Sequence, residues 1–202
     1  PVVLALLALG LVLGARSNGF SRSVARPDQA TRVATTEPGD YFLWVGRLIP
    51  YKRADLAVRA FTDLGLPLVI IGDGRDRPNL ERMAKPNIRF LGRLDSEEMR
   101  RYMAGCRAFL FPGEEDLGLT PLEAQAAGRP VIAYAAGGAL DTVVEGVTGE
   151  FFRQPTPESL AEVVRGFDPS RYDPAACVAN ARRFDTTAFK EQWAAFVSQQ
   201  CP

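Results

Sequence analysis

The chain has 202 residues, 47% of them hydrophobic, enough for one ordinary core and far from a disordered composition. Its 24 Lys and Arg balance 24 Asp and Glu, which argues against a general nucleic-acid surface and leaves room for a local basic pocket. Histidine is absent, which excludes Ser-His-Asp and Cys-His nucleophile systems and histidine metal clusters.

Residues 1–14, PVVLALLALGLVLG, are uncharged and apolar but shorter than the roughly 20 residues of a typical membrane span. They read either as a stranded core element of something longer or as a membrane-associated or targeting segment. Residues 15–40, rich in Ser, Arg, Thr and Pro, read as a linker. From residue 41 a regular alternation begins. YFLWVG (41–46) is a short apolar run ended by glycine, and RADLAVRAFTDLG (53–65) places Leu56, Ala57, Ala60, Phe61 and Leu64 on one side of a helix. PLVIIG (67–72) is a second run, followed by a turn and a helix near 78–84. NIRFLG (87–92) is the third, and DSEEMRRYMAGC after it opens with Asp95 and Glu98 at capping-box spacing. RAFLFPG (107–113) and PVIAY (130–134) flank a helix around 119–127; TGEFF (148–152) is the sixth run, before a helix capped by Thr156. Apolar runs alternating with helices of about ten residues predict a parallel sheet covered on both faces, a doubly wound α/β domain. Ligands of such sheets sit at the carboxyl ends of the strands.

Charged and glycine residues gather at those ends. After the first run, Gly46 allows close backbone approach, and Arg47 and Lys52 are cations suited to phosphate, unless they are merely solvated. The second run ends in Gly72 and Asp73, without the third glycine of a dinucleotide fingerprint, and Asp73 can equally make a turn. After the fourth run comes FPGEEDLGLTPLEAQAAGRP, in which Gly118 precedes a helix start, a place that attracts anions. Glu115 stands just before that helix and Glu123 within it, eight positions on. Capping or a solvated face accounts for Glu114; it fits Glu123 poorly, because Leu122, Ala124, Ala126 and Ala127 surround it. Past the fifth run, Gly137 and Gly138 precede another helix start, where Asp141 reads as a cap in preference to a ligand contact.

In this order GRL…K, IGDG, FLG, E-x₇-E, GRPVIA and GG resemble the nucleotide-sugar-binding half of a family 4 retaining glycosyltransferase of the GT-B fold, from about Tyr41 to Phe167. The resemblance implies a Rossmann-like donor domain over 41–183 and a final helix in 184–202. It further implies that Arg47 and Lys52 hold the donor's diphosphate, that Glu115 binds sugar hydroxyls, and that Glu123 binds the ribose. Gly118, Leu119 and Thr120 would lie beside the sugar and phosphates, and Gly92 and Arg93 would border the base pocket. Leu117 departs from the Phe common in the family, a change of packing more than of chemistry. No cofactor and no catalytic metal are implied, because the cation pair and the helix terminus would do that electrostatic work.

The partner domain that supplies the acceptor site in GT-B enzymes typically precedes this half by well over a hundred residues. It is therefore expected outside this chain, which would be a donor half, one chain of a split enzyme, or a non-catalytic nucleotide-sugar-binding module. A glycogen phosphorylase relative would need a pyridoxal lysine context not found here, and the E-x₇-E spacing disfavours a sugar-nucleotide epimerase. In 184–199, Phe189, Trp193 and Phe196 recur on one helical face, which either completes the domain's own core or packs on the missing domain. Without that domain the face would drive self-association. Cys106, Cys177 and Cys201 are odd in number and far apart; they point to neither a disulfide framework nor a zinc site, and they fit a cytoplasmic location, with a place at the inner face of a membrane left open by residues 1–14.

Overall fold

A computed structural model describes residues 39–200. The apolar segment 1–14, nearly all of the expected linker and Cys201 lie outside the described residues. Six strands form one sheet: β1 (Phe42–Val45), β2 (Leu68–Ile71), β3 (Ile88–Gly92), β4 (Phe109–Phe111), β5 (Val131–Tyr134) and β6 (Gly149–Phe152). All neighbouring pairs are parallel, in the order β3-β2-β1-β4-β5-β6. This is the doubly wound, Rossmann-like arrangement. The chain builds outward from β1 to β3, then returns across β1 to β4, so the order reverses between β1 and β4.

The inner strands β1, β2, β4 and β5 are short, continuous apolar runs because helices cover both faces, while the edge strands β3 and β6 carry Arg89 and Glu150. Alternate side chains divide between two cores. Phe42, Trp44, Leu68 and Ile70 pack with α1 (Ala54–Leu64), α2 (Arg77–Met83) and α6 (Pro157–Gly166), through Phe61, Leu80 and Leu160. Leu43, Val69, Phe109 and Val131 face the other way, toward α3 (Ser96–Gly105), α4 (Leu119–Ala126) and α5 (Ala139–Thr142), through Met103, Ala124 and Ala139. Phe42, Phe61 and Phe167 meet edge-on, with centroids 5.1 and 6.1 Å apart. Each buried aromatic of this kind contributes on the order of 1.5–3 kcal/mol of transfer free energy.

Both expected caps form. Asp95 accepts from the backbone of Glu97 and Glu98 at 2.9 and 2.8 Å, with Glu98 reaching back to complete the box. Thr156 accepts from the Ser159 backbone at 3.2 Å. Asp141 is a correction. It lies within the first turn of α5, whose N-cap is Gly138, and no side chain caps that helix. A helix of four residues leaves its first carboxylate inside the turn and not ahead of it.

Two helices complete the chain. α7 (Pro174–Arg182) was not expected from the apolar pattern, although Asp173 caps it, accepting from the Ala175 backbone at 2.8 Å, and Pro174 begins it. α7 packs on α4, and the two are joined by buried amides. Asn180 Nδ2 donates to Gln125 Oε1 at 2.6 Å, and both side chains donate to the Thr142 carbonyl, at 2.9 and 2.8 Å. The last helix, α8 (Thr186–Gln200), buries none of its residues. Trp193 and Phe196 stack on each other at 5.8 Å, and Phe196 is 44% exposed, so the aromatic face does not complete the core. No helix among the described residues is long and apolar enough to cross a membrane.

Candidate functional site

The reversal between β1 and β4 opens a crevice at the carboxyl ends of these strands, and the loops leaving them carry the predicted charges. From β1 the chain runs through Gly46, Arg47 and Leu48 into a 3₁₀ turn, Pro50–Lys52, and then into α1. Arg53 joins the two with φ 52°, the one left-handed non-glycine residue among those described. Such a conformation costs on the order of 1 kcal/mol or more in a residue with a side chain. Arg53 Nε donates to Asp55 at 3.0 Å, which steadies the junction that fixes where Lys52 points.

From β4 the chain runs through Gly113 and the acids 114–116 to Gly118 at the head of α4. Gly118 has φ 75°, and a Cβ there would lie 2.7 Å from the Phe111 ring, so both backbone and space require glycine. No side chain caps α4, leaving its first N–H groups and its dipole directed at the crevice. Leu119 is 59% exposed at the first position, with Thr120 next to it.

Across this crevice Lys52 Nζ donates to Glu115 Oε1 in a close ion pair, with the side chains 21% and 20% exposed. Sixty-three positions separate these residues in the sequence. Arg47 stands exposed on the same loop, with no ion pair or side-chain hydrogen bond among the described residues. Glu123 is half-buried, with no side-chain hydrogen bond among the described residues, and burial pushes its carboxyl up to about 7. A carboxylate desolvated in this way, with no hydrogen-bond partner among the described residues, marks a candidate ligand contact.

The remaining predicted residues are divided. Gly46 donates to the Ile71 carbonyl at 3.0 Å, and Gly72 donates to the Gly92 carbonyl at 2.7 Å, so these three line the strand ends with their backbones. Asp73 accepts from its neighbour Gly74 at 2.8 Å and lies 3.9 Å from Arg77, which makes it a turn residue as well as a strand-end acid. Arg93 projects, exposed, from the end of β3. Sequence reasoning missed Tyr51. Its ring is 59% exposed and lies under the Lys52 ammonium, 5.4 Å from the centroid. An aromatic beside a cation in PYKR was the available signal. A cavity of 430 Å³ lies at the opposite pole, around Phe42, Arg107 and Phe167, and plays no part in this crevice.

The family Glycosyl transferases group 1 matches residues 26–184, and the chain belongs to it. Among relatives, a glycogen synthase of Pseudomonas aeruginosa is 39% identical over 137 residues, 62% of this chain and 26% of the relative. A GDP-mannose-dependent monoacylated alpha-(1-6)-phosphatidylinositol monomannoside mannosyltransferase of Corynebacterium glutamicum is 34% identical over 134 residues, 58% of this chain and 35% of the relative. Among solved structures, Anabaena HepE in complex with UDP superposes with TM-score 0.70 at 20% identity, covering 98% of this chain and 53% of HepE. The chain thus spans about a quarter to a third of these curated relatives and about half of that structure.

Proposed function

We propose that this chain is the donor-binding half of a retaining GT-B glycosyltransferase of the family 4 type, moving a sugar from a nucleoside-diphospho-sugar to an acceptor hydroxyl. The observation that carries this reading is the meeting of Lys52, Glu115 and the uncapped start of α4 at the one point where the strand order reverses. Arg47 and Lys52 hold the diphosphate, with the N–H groups of α4 beside it. Glu115 accepts from sugar hydroxyls and Glu123 from the ribose diol, each ionised carboxylate offering two oxygens to a pair of donors. Gly46, Gly72, Asp73 and Gly92 form the strand-end floor, and Arg93 borders the base.

In the reaction the bond from the anomeric carbon to the diphosphate oxygen breaks, its electron pair staying on that oxygen. The acceptor oxygen takes its place with the anomeric configuration retained, and the acceptor's hydroxyl proton passes to the departing diphosphate oxygen. Charge developing on the departing diphosphate meets two cations and a helix terminus, the kind of electrostatic stabilisation that dominates such transfers. Residues 41–183 would form the donor domain, with 184–202 as its final helix and the acceptor-binding half outside this sequence. HepE is described with UDP, with UDP and glucose and with UDP-glucose, and the Corynebacterium relative is named for GDP-mannose; both support a nucleotide-sugar ligand.

Calorimetry with UDP and GDP tests the assignment. Charge-assisted hydrogen bonds contribute roughly 1.5–3 kcal/mol each. The double variant Arg47→Ala, Lys52→Ala should therefore bind the preferred nucleotide more than tenfold more weakly while keeping its circular dichroism. Equal affinities in the two proteins would remove both residues from the site.

A further inference from the structure

The ion pair in the crevice joins two residues that the proposed function assigns to different parts of the ligand, the cation to the diphosphate and the carboxylate to the sugar. Its two sides differ in freedom. The Glu115 carbonyl accepts from the Gly138 backbone at 2.7 Å, and a Cβ on Gly137 would come within 2.5 Å of that oxygen. A Cβ on Gly138 would lie 2.4 Å from Leu117 Cα, so the acidic loop sits directly against the start of α5. Glu115 is therefore held by its backbone. Lys52 ends a flexible four-carbon stem on a three-residue turn, with the Tyr51 ring beneath it. Arg47, on the same loop, has no acidic partner among the described residues.

A bare nucleoside diphosphate can engage Arg47 outright but gains Lys52 only by drawing it from Glu115. That exchange strips a partly buried carboxylate of its partner, which is costly. A nucleotide-sugar draws Lys52 away too, but its hydroxyls donate to Glu115 and restore the lost contact. We propose, resting on the donor-binding reading above, that Glu115 acts as a positioning residue for Lys52 and makes the site discriminate a sugar-bearing nucleoside diphosphate from the bare one. The discrimination runs in the useful direction, because the bare diphosphate is what transfer leaves behind.

Dissociation constants for UDP, GDP, UDP-glucose and GDP-mannose, measured on the full chain, test this in wild type, Glu115→Gln, Lys52→Ala and the double variant. Glu115→Gln should bind the bare diphosphate at least threefold more tightly and its sugar conjugate no more tightly, so that the preference for the conjugate shrinks. In the Lys52→Ala background the same change should leave the bare diphosphate unaffected. Glu115→Asp, which shortens the reach and keeps the charge, should shift affinity in the same direction by less, and it serves if the Gln variant fails to fold. Unchanged or weaker binding of the bare diphosphate by Glu115→Gln, with Arg47→Ala still losing affinity, overturns the discrimination and leaves donor binding standing. If none of the four ligands binds the folded wild type, donor binding and discrimination fall together.

Discussion

Glu123 is the residue whose environment says most about the crevice. Burial holds its proton on to about pH 7, whereas in the unfolded chain the proton leaves near the ordinary value of 4.5. Between these values the folded state binds more protons than the unfolded one, so stability falls as pH rises through this window and the loss is complete above pH 7. A shift of this size corresponds to at most about 3 kcal/mol. Glu123→Gln should match wild type at pH 4 and exceed it at pH 8 in chemical denaturation; parallel pH profiles would show that the carboxyl ionises freely. Ligand hydroxyls donate to the ionised form, so nucleotide affinity should rise between pH 6 and 8, with proton release visible as a buffer-dependent binding enthalpy. Glu123 was legible in the sequence as an acid among small apolar neighbours. The Lys52–Glu115 contact was not, because no local pattern links residues 63 positions apart. It needs β1 and β4 to be neighbours.

Among the elements, the four inner strands could be read directly as uninterrupted apolar runs, and the edge strands β3 and β6 as runs broken by Arg89 and Glu150. The helices capped by Asp95 and Thr156 were equally plain, for their caps are local chemistry. α5 and α7 were harder. α5 is too short to show a period, which is why Asp141 was misassigned as its cap. α7 packs mainly on another helix, α4, and buries only Cys177 and Asn180, so its apolar stripe is faint. Its role shows in the amide network that links α4 to α5 and α7. Asn180→Ala would leave Gln125 Oε1 buried without its donor and remove a tie to Thr142. Unsatisfied buried groups of this kind cost roughly 1–3 kcal/mol each. Urea denaturation should show a loss of about 2 kcal/mol or more. A change below about 0.5 kcal/mol would mean that α7 contributes little to holding the donor-side helix.

At the scale of the whole molecule, two surfaces are set against each other. The crevice is built from loops that the sheet positions firmly, while α8 lies outside both cores with Trp193 partly covered and Phe196 and Val197 exposed. An exposed aromatic face of that kind can drive association. We expect the isolated chain to self-associate and Trp193→Ser to shift it toward monomer in light scattering. A clean wild-type monomer, with Trp193 emission already blue-shifted, would show the helix covered by its own chain. The glycosyltransferase family and the fold were readable from motif order because most of the motifs fall where a strand ends or a helix begins. What covers α8 was not, since an aromatic stripe looks the same whether it meets its own core or another surface.

Whether a nucleotide-sugar occupies the crevice between β1 and β4 can be read by hydrogen exchange with and without UDP-glucose or GDP-mannose. Protection is expected in residues 46–53, 72–74, 113–123 and 136–140, and none around Phe42, Arg107 and Phe167 at the opposite pole. Saturable binding that leaves these four segments unprotected, or protection confined to the opposite pole, would contradict occupancy of this crevice.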